Sequence, residues 1–115
     1  MKQIKKKLGI SGVLTEISSW AKQGNNDEEG AQIDMLIDRR DRVINLCEIK
    51  FSSLPYEIDK GYDTSLKKKV SIFREDSKTK KTIIVTMITS YGIKKNKYSN
   101  YIGKEVSLDD LFERI

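Results

Sequence analysis

Asp34 lies inside one apolar run, "AQIDMLID", and Glu48 and Lys50 lie inside the next, "VINLCEIKF". Two carboxylates and an ammonium among isoleucines and leucines can support phosphoryl chemistry. Carboxylates brought together repel, which raises a pKa, unless a cation relieves them. A hard divalent ion held there lowers the pKa of its water and polarises a phosphodiester. A lysine alongside can orient the attacking water or stabilise charge building on phosphate oxygens.

The missing residue types narrow the chemistry. The chain has no histidine, which removes Ser-His-Asp and Cys-His catalysis, histidine-based nucleases and imidazole zinc sites. Its single cysteine, Cys47, can form neither an internal disulfide nor a zinc site, and its surroundings from Leu46 to Ile49 mark it as a core residue. A metal must therefore be bound through oxygen, and Mg²⁺ or Mn²⁺ is the natural candidate.

For these side chains to meet, two strands must present them correctly. Strand residues alternate faces, so Glu48 and Lys50 share one side, with Cys47, Ile49 and Phe51 on the other. In the preceding strand Ile33, Met35 and Ile37 are expected on one face and Asp34 on the opposite one. If the two strands form a hairpin, Asp34 faces Glu48 only when paired residue numbers add to an even total, as with Asp38 and Ile44. That requires an odd loop or a compensating bulge. The carboxylates would then stand about 5 Å apart across the ladder. An acid-x-Lys triplet alone carries little weight, because "DSK" at Asp76–Lys78 repeats it at a helix end. The competing reading is an exposed meander with a surface ion pair between Glu48 and Lys50, since antiparallel sheets often solvate one face.

The rest of the chain supplies the frame. "KQIKKKL", residues 2 to 8, predicts a short helix stopped near Gly9. "VLTEISSW", residues 13 to 20, predicts a strand, and "AKQGNNDEEG" a loop. With the two apolar runs this makes an antiparallel meander. "SSLPY" contains the only proline and ends the third strand. From Glu57 to about Asp76, Ile58, Tyr62, Leu66, Val70 and Phe73 recur at helical spacing, with Lys67, Lys68 and Arg74 opposite. "TIIVTMIT", residues 82 to 89, predicts a buried strand. "SYGIKKNKYSNYIG" is expected as a loop, and "SLDDLFERI" as a closing helix with Ser107 as N-cap and Asp110 three residues on. Trp20 is expected in the core. The order implies a sheet with helices packed on it, an α+β domain.

The 115 residues suffice for one hydrophobic core and form a single domain, 1–115, with 37% hydrophobic and 34% charged residues. No apolar run approaches the roughly 20 residues needed to span a bilayer, so a cytoplasmic location is expected. The net charge is +5 and the pI about 9.3. Clustered lysines suit a polyanion partner or simply a solvated surface. The run Lys67–Lys69 on the long helix could hold phosphate, and the expected contacts are Lys67 and Lys68 there and Lys95 and Lys97 in the late loop. Tyr56, Tyr91, Tyr98 and Tyr101 lie in or beside loops and could stack on unpaired bases, or be partly buried with a wet hydroxyl. No Gly-Lys-Ser/Thr loop for nucleotide phosphates is present.

The segments "GAQIDMLIDR", "INLCEIKFS", "ITSYG" and "LDDLF", in this order, resemble the PD-(D/E)XK nuclease-like superfamily. More narrowly, they are similar to the carboxy-terminal nuclease-like domain of AAA-type ATPases. The resemblance runs from about Gln3 to the last residues. It implies a restriction-endonuclease-like mixed sheet of four or more strands flanked by helices. It also implies Asp34 and Glu48 as metal ligands, the backbone carbonyl of Ile49 as a further ligand, and Lys50 as the catalytic lysine. Mg²⁺ or Mn²⁺ is the implied cofactor and DNA the implied partner, with an ATPase module fused or in trans. The chain would then be a carboxy-terminal part of such a protein or a separately encoded remnant. Homodimers are common in that superfamily. The family also places a Glu on the helix before the first strand, whereas the first acid here is Glu16.

Three functions follow as expectations: a Mg²⁺-dependent DNA endonuclease, an inactive regulatory module that binds DNA or docks on the ATPase, or an interaction domain with incidental basic charge.

Overall fold

A computed structural model describes residues 2–26 and 30–108. Its elements are α1 (Lys2–Lys7), β1 (Thr15–Lys22), β2 (Ala31–Arg39), β3 (Val43–Lys50), α2 (Lys60–Ser77), β4 (Thr82–Thr89), a 3₁₀ turn (Ser99–Tyr101) and β5 (Lys104–Ser107). The five strands form one mixed sheet in the order β1-β2-β3-β4-β5. The first three are antiparallel neighbours, and β4 and β5 run parallel to β3. The expected α+β architecture, a meander flanked by helices, is therefore present.

The β2–β3 hairpin closes through Arg40, Asp41 and Arg42, and Arg42 adopts φ 68°. A three-residue loop ending in the left-handed region is a common hairpin solution. Asp38 pairs with Ile44 and Met35 with Cys47, which is the even register. The parallel β3–β4 pair needs a crossover, and α2 supplies it. Asp59 caps α2 by accepting the Tyr62 amide at 2.8 Å, and Lys78, at φ 56°, ends it.

Two apolar layers cover the sheet. On one face Leu8, Ile10, Ile37, Cys47, Ile88 and Val106 are buried together, with Ile4 of α1 packed against them. On the other, Ile33, Leu36, Ile44 and Leu46 pack with Phe73 of α2 and the half-buried Trp20. The Trp20 and Phe73 rings meet edge to face at 5.3 Å. Gly9, at φ 75°, turns the chain out of α1.

The expected common face of Ile33, Met35 and Ile37 is corrected by a β-bulge. Ser18 pairs with Leu36 and Trp20 with Ile33, so Ser19 alone spans both Asp34 and Met35. An extra residue in one strand breaks the two-residue alternation. Ile33 therefore joins Leu36 beneath α2, while Met35 and Ile37 face the α1 layer. Phe51 does not complete the apolar face of β3 either; it lies beyond the strand end and is 65% exposed.

The first strand begins two residues later than predicted, at Thr15. β5 falls within the segment expected as loop and helix. Gly103 admits it, because a Cβ there would lie 2.8 Å from Ile84 Cγ2, and Val106 anchors it in the core. The closing helix expected over Ser107–Ile115 lies outside the described residues beyond Leu108, and its expected cap, Ser107, ends β5. Among the described residues no helix is long and apolar enough to cross a membrane.

Candidate functional site

Backbone pairing between β2 and β3 ends at Met35 and Cys47. One step further the register sets Asp34 opposite Glu48, beside the bulge, and side chains take over from the ladder. Ile49 donates its amide to Asp34 Oδ2 at 2.9 Å, and the Asp34 amide lies 3.4 Å from Glu48 Oε2. Each carboxylate thus engages the backbone of the opposite strand. The ladder opens at this point, and its gap is lined by carboxylate oxygens.

The two acids differ in environment. Asp34 is exposed. Glu48 is only 2% exposed, on the face that α2 covers. Its Oε1 accepts from Lys69 Nζ of α2 at 2.5 Å. A buried carboxylate without such a partner would cost several kcal/mol. The alternative of an exposed meander with a surface Glu48–Lys50 pair is thereby corrected: Glu48 is inside, and its partner is Lys69.

Lys50 is half-buried and projects over the ring of Tyr62, 5.3 Å from the centroid. Tyr62 in turn meets Tyr56 edge to face at 5.5 Å. The Tyr62 hydroxyl is buried without a hydrogen-bond partner among the described residues. Burial pushes it well above the ordinary phenol range, and the negative charges of Glu48 and Asp34 act in the same direction. Asp34, Glu48, Lys50 and Tyr62 therefore share one neighbourhood, at the carboxyl end of β3.

Two carboxylates beside an orphaned hydroxyl are a hard-oxygen donor set, which suits Mg²⁺ or Mn²⁺. Asp34 Oδ1 has no partner among the described residues, and Ile49 lies between Glu48 and Lys50 with its amide on Asp34. No cluster of three or more histidine, cysteine or acidic side chains able to hold a metal occurs among the described residues. Water and phosphate oxygens would have to complete the coordination, as is usual for Mg²⁺. Asp34 and Glu48 would be the protein's ligands, with Lys69 as the competing cation. Glu16 of β1 pairs with Asp38 of β2, at the far end of the hairpin from Asp34, and takes no part.

The four lysines expected to meet phosphate are dispersed. Lys67 pairs with Asp63 at 3.0 Å and lies over the Tyr101 ring at 5.2 Å. Lys68 lines a shallow depression with Lys69, Ser65 and Gly30. Lys95 and Lys97 are exposed on the loop after β4. That loop is tied to the site, because Lys94 donates its amide to Tyr56 at 2.8 Å and Asn96 donates its side-chain amide to the Ile58 carbonyl at 2.9 Å.

Tyr62 went unrecognised as a site residue in the sequence, where Lys69 reads only as one of three helix lysines that could hold phosphate. Lys69 follows Leu66 by three positions and precedes Phe73 by four, so helical spacing alone puts it on the covered face. Cys47 is buried as expected, which pushes its thiol up to about 12.

No family model matches the chain, and no curated protein matches it. Among solved structures it resembles the crystal structure of a protein of unknown function, AF1548, with a TM-score of 0.60 and 16% sequence identity. The likeness covers 94% of this chain and 60% of that one. At that identity it speaks to fold alone, and the chain spans about three-fifths of that structure's length.

Proposed function

We propose that this domain is a nuclease-like module of PD-(D/E)XK type that grips DNA in the cytoplasm and hydrolyses a phosphodiester with Mg²⁺ or Mn²⁺. The observation that carries the reading is the opening of the β2–β3 ladder between Asp34 and Glu48, with Lys50 over the Tyr62 ring at the same end of β3. A bound divalent ion would acidify a water and polarise the phosphate. Asp34 and Glu48 hold it from neighbouring strands. Lys50, kept beside the site by the Tyr62 ring, orients the attacking water and offsets charge on the phosphate oxygens. Lys95 and Lys97 contribute sequence-independent attraction for the backbone. The order of the motifs supports an AAA-type ATPase module as partner.

A second reading is a catalytically inactive module that regulates or docks on such an ATPase. The Lys69–Glu48 pair favours it, because it satisfies the buried acid without any metal. A cleavage assay with Mn²⁺ on linear, branched and single-stranded DNA, wild type beside Asp34→Ala, separates the two. Cleavage lost in the variant supports the nuclease; no cleavage by wild type on any substrate supports the docking module.

A further inference from the structure

We infer that Lys69 is a resident counter-cation for Glu48, and that a divalent ion reaches the site only by displacing it. The inference rests on the metal-site reading above and adds a control to it. Glu48 is 2% exposed and its Oε1 already holds an ammonium at 2.5 Å. A Mg²⁺ ion needs carboxylate oxygens at about 2.0–2.1 Å with little tolerance in geometry. A single enclosed carboxylate is poorly placed to serve both cations at once, because the two positive charges would repel at close range in a poorly screened space.

The lysine has somewhere to go. Its side chain is 21% exposed, and it borders the shallow depression shared with Ser65, Lys68 and Gly30. Displacement would therefore release an ammonium toward solvent on the α2 side. In the absence of metal the pair gives the buried Glu48 carboxylate a partner; with metal, α2 contributes a freed cation beside the site. Lys69 is thus a positioning residue, and metal affinity is set by an exchange between two cations.

The test measures Mn²⁺ binding by calorimetry for wild type, Lys69→Gln and Lys69→Arg. Lys69→Gln is expected to bind Mn²⁺ at least tenfold more tightly than wild type, and adding Asp34→Asn should remove the gain. Lys69→Arg, which keeps a cation, should bind no more tightly than wild type. Equal affinity in wild type and Lys69→Gln overturns the inference and leaves the metal site standing. No binding by any of the three overturns the metal site, and the inference with it. Because Lys69→Gln leaves Glu48 without its ion pair and could impair folding, wild type supplies an independent measurement. Acylation of Lys69, followed by mass spectrometry, should accelerate severalfold when saturating Mn²⁺ frees the ammonium. Unchanged Lys69 labelling with Mn²⁺ bound would also overturn it.

Discussion

Asp34 Oδ2 accepts the amide proton of Ile49 at 2.9 Å, so a side chain continues the β2–β3 ladder past its last backbone pair. Asp34→Asn keeps an oxygen for that amide, and Asp34→Ala does not. The asparagine variant should unfold within about 0.5 kcal/mol of wild type, whereas alanine should cost about 1–2 kcal/mol. Both should lose cleavage. Urea denaturation beside a nuclease assay checks this, and an asparagine variant that cuts like wild type would remove Asp34 from the chemistry.

Lys50 lies over the ring face of Tyr62, and no ion pair holds it among the described residues. Lys50→Ala should therefore abolish cleavage while leaving the fold and most DNA binding intact. Activity unchanged in that variant would end its assignment as the catalytic lysine.

Tyr62 carries a buried hydroxyl with no partner among the described residues. Such a group typically costs about 1–3 kcal/mol. In EDTA, Tyr62→Phe should be at least as stable as wild type, by roughly 1 kcal/mol where no water satisfies the hydroxyl. A clear loss in melting temperature would mean that the hydroxyl is satisfied in solution.

The hairpin was the most legible part of the fold. A polar link of the right length between two apolar runs restricted the strands to two facings, and the even one is present. β4 was equally readable, because its continuous apolar run stands between lysines and Ser90. β5 was not, since "KEVS" offers one buried side chain among charged ones. Nor was the bulge, because pairing partners on β1 create it and no residue type in "IDML" announces it. Lys69 was hidden by its neighbours: three consecutive lysines suggest a solvated surface, yet only the third lies on the apolar side of the helix.

The Cys47 thiol is pushed up from 9.0 to about 12, chiefly by burial, with the Glu48 charge adding to it. Below pH 9 the thiol is protonated in both folded and unfolded chains, so its contribution to stability is fully present. Between pH 9 and 12 the unfolded chain loses the proton first, and stability falls. The difference in unfolding free energy between wild type and Cys47→Ala should therefore shrink as pH rises through that window. A difference independent of pH would mean the thiol is not held protonated.

Lys95 and Lys97 are exposed on a loop fastened to Tyr56 and Ile58. If both meet phosphate, the double alanine variant should flatten the dependence of log affinity on log salt by about 2. Titrations of duplex DNA at several salt concentrations decide it. An unchanged slope would place the contacts elsewhere.

Because Asp34 and Met35 together span the single residue Ser19, this stretch of chain carries one residue more than the sheet itself requires. Removing either one would return the strand to plain alternation with Ile33 still opposite Trp20 and beneath α2, but it would delete Asp34 or move it into the place of Met35, away from Glu48. The surplus residue therefore serves the acid and not the sheet: the strands could pair without it, but the carboxylate would lose its place at the mouth of the ladder.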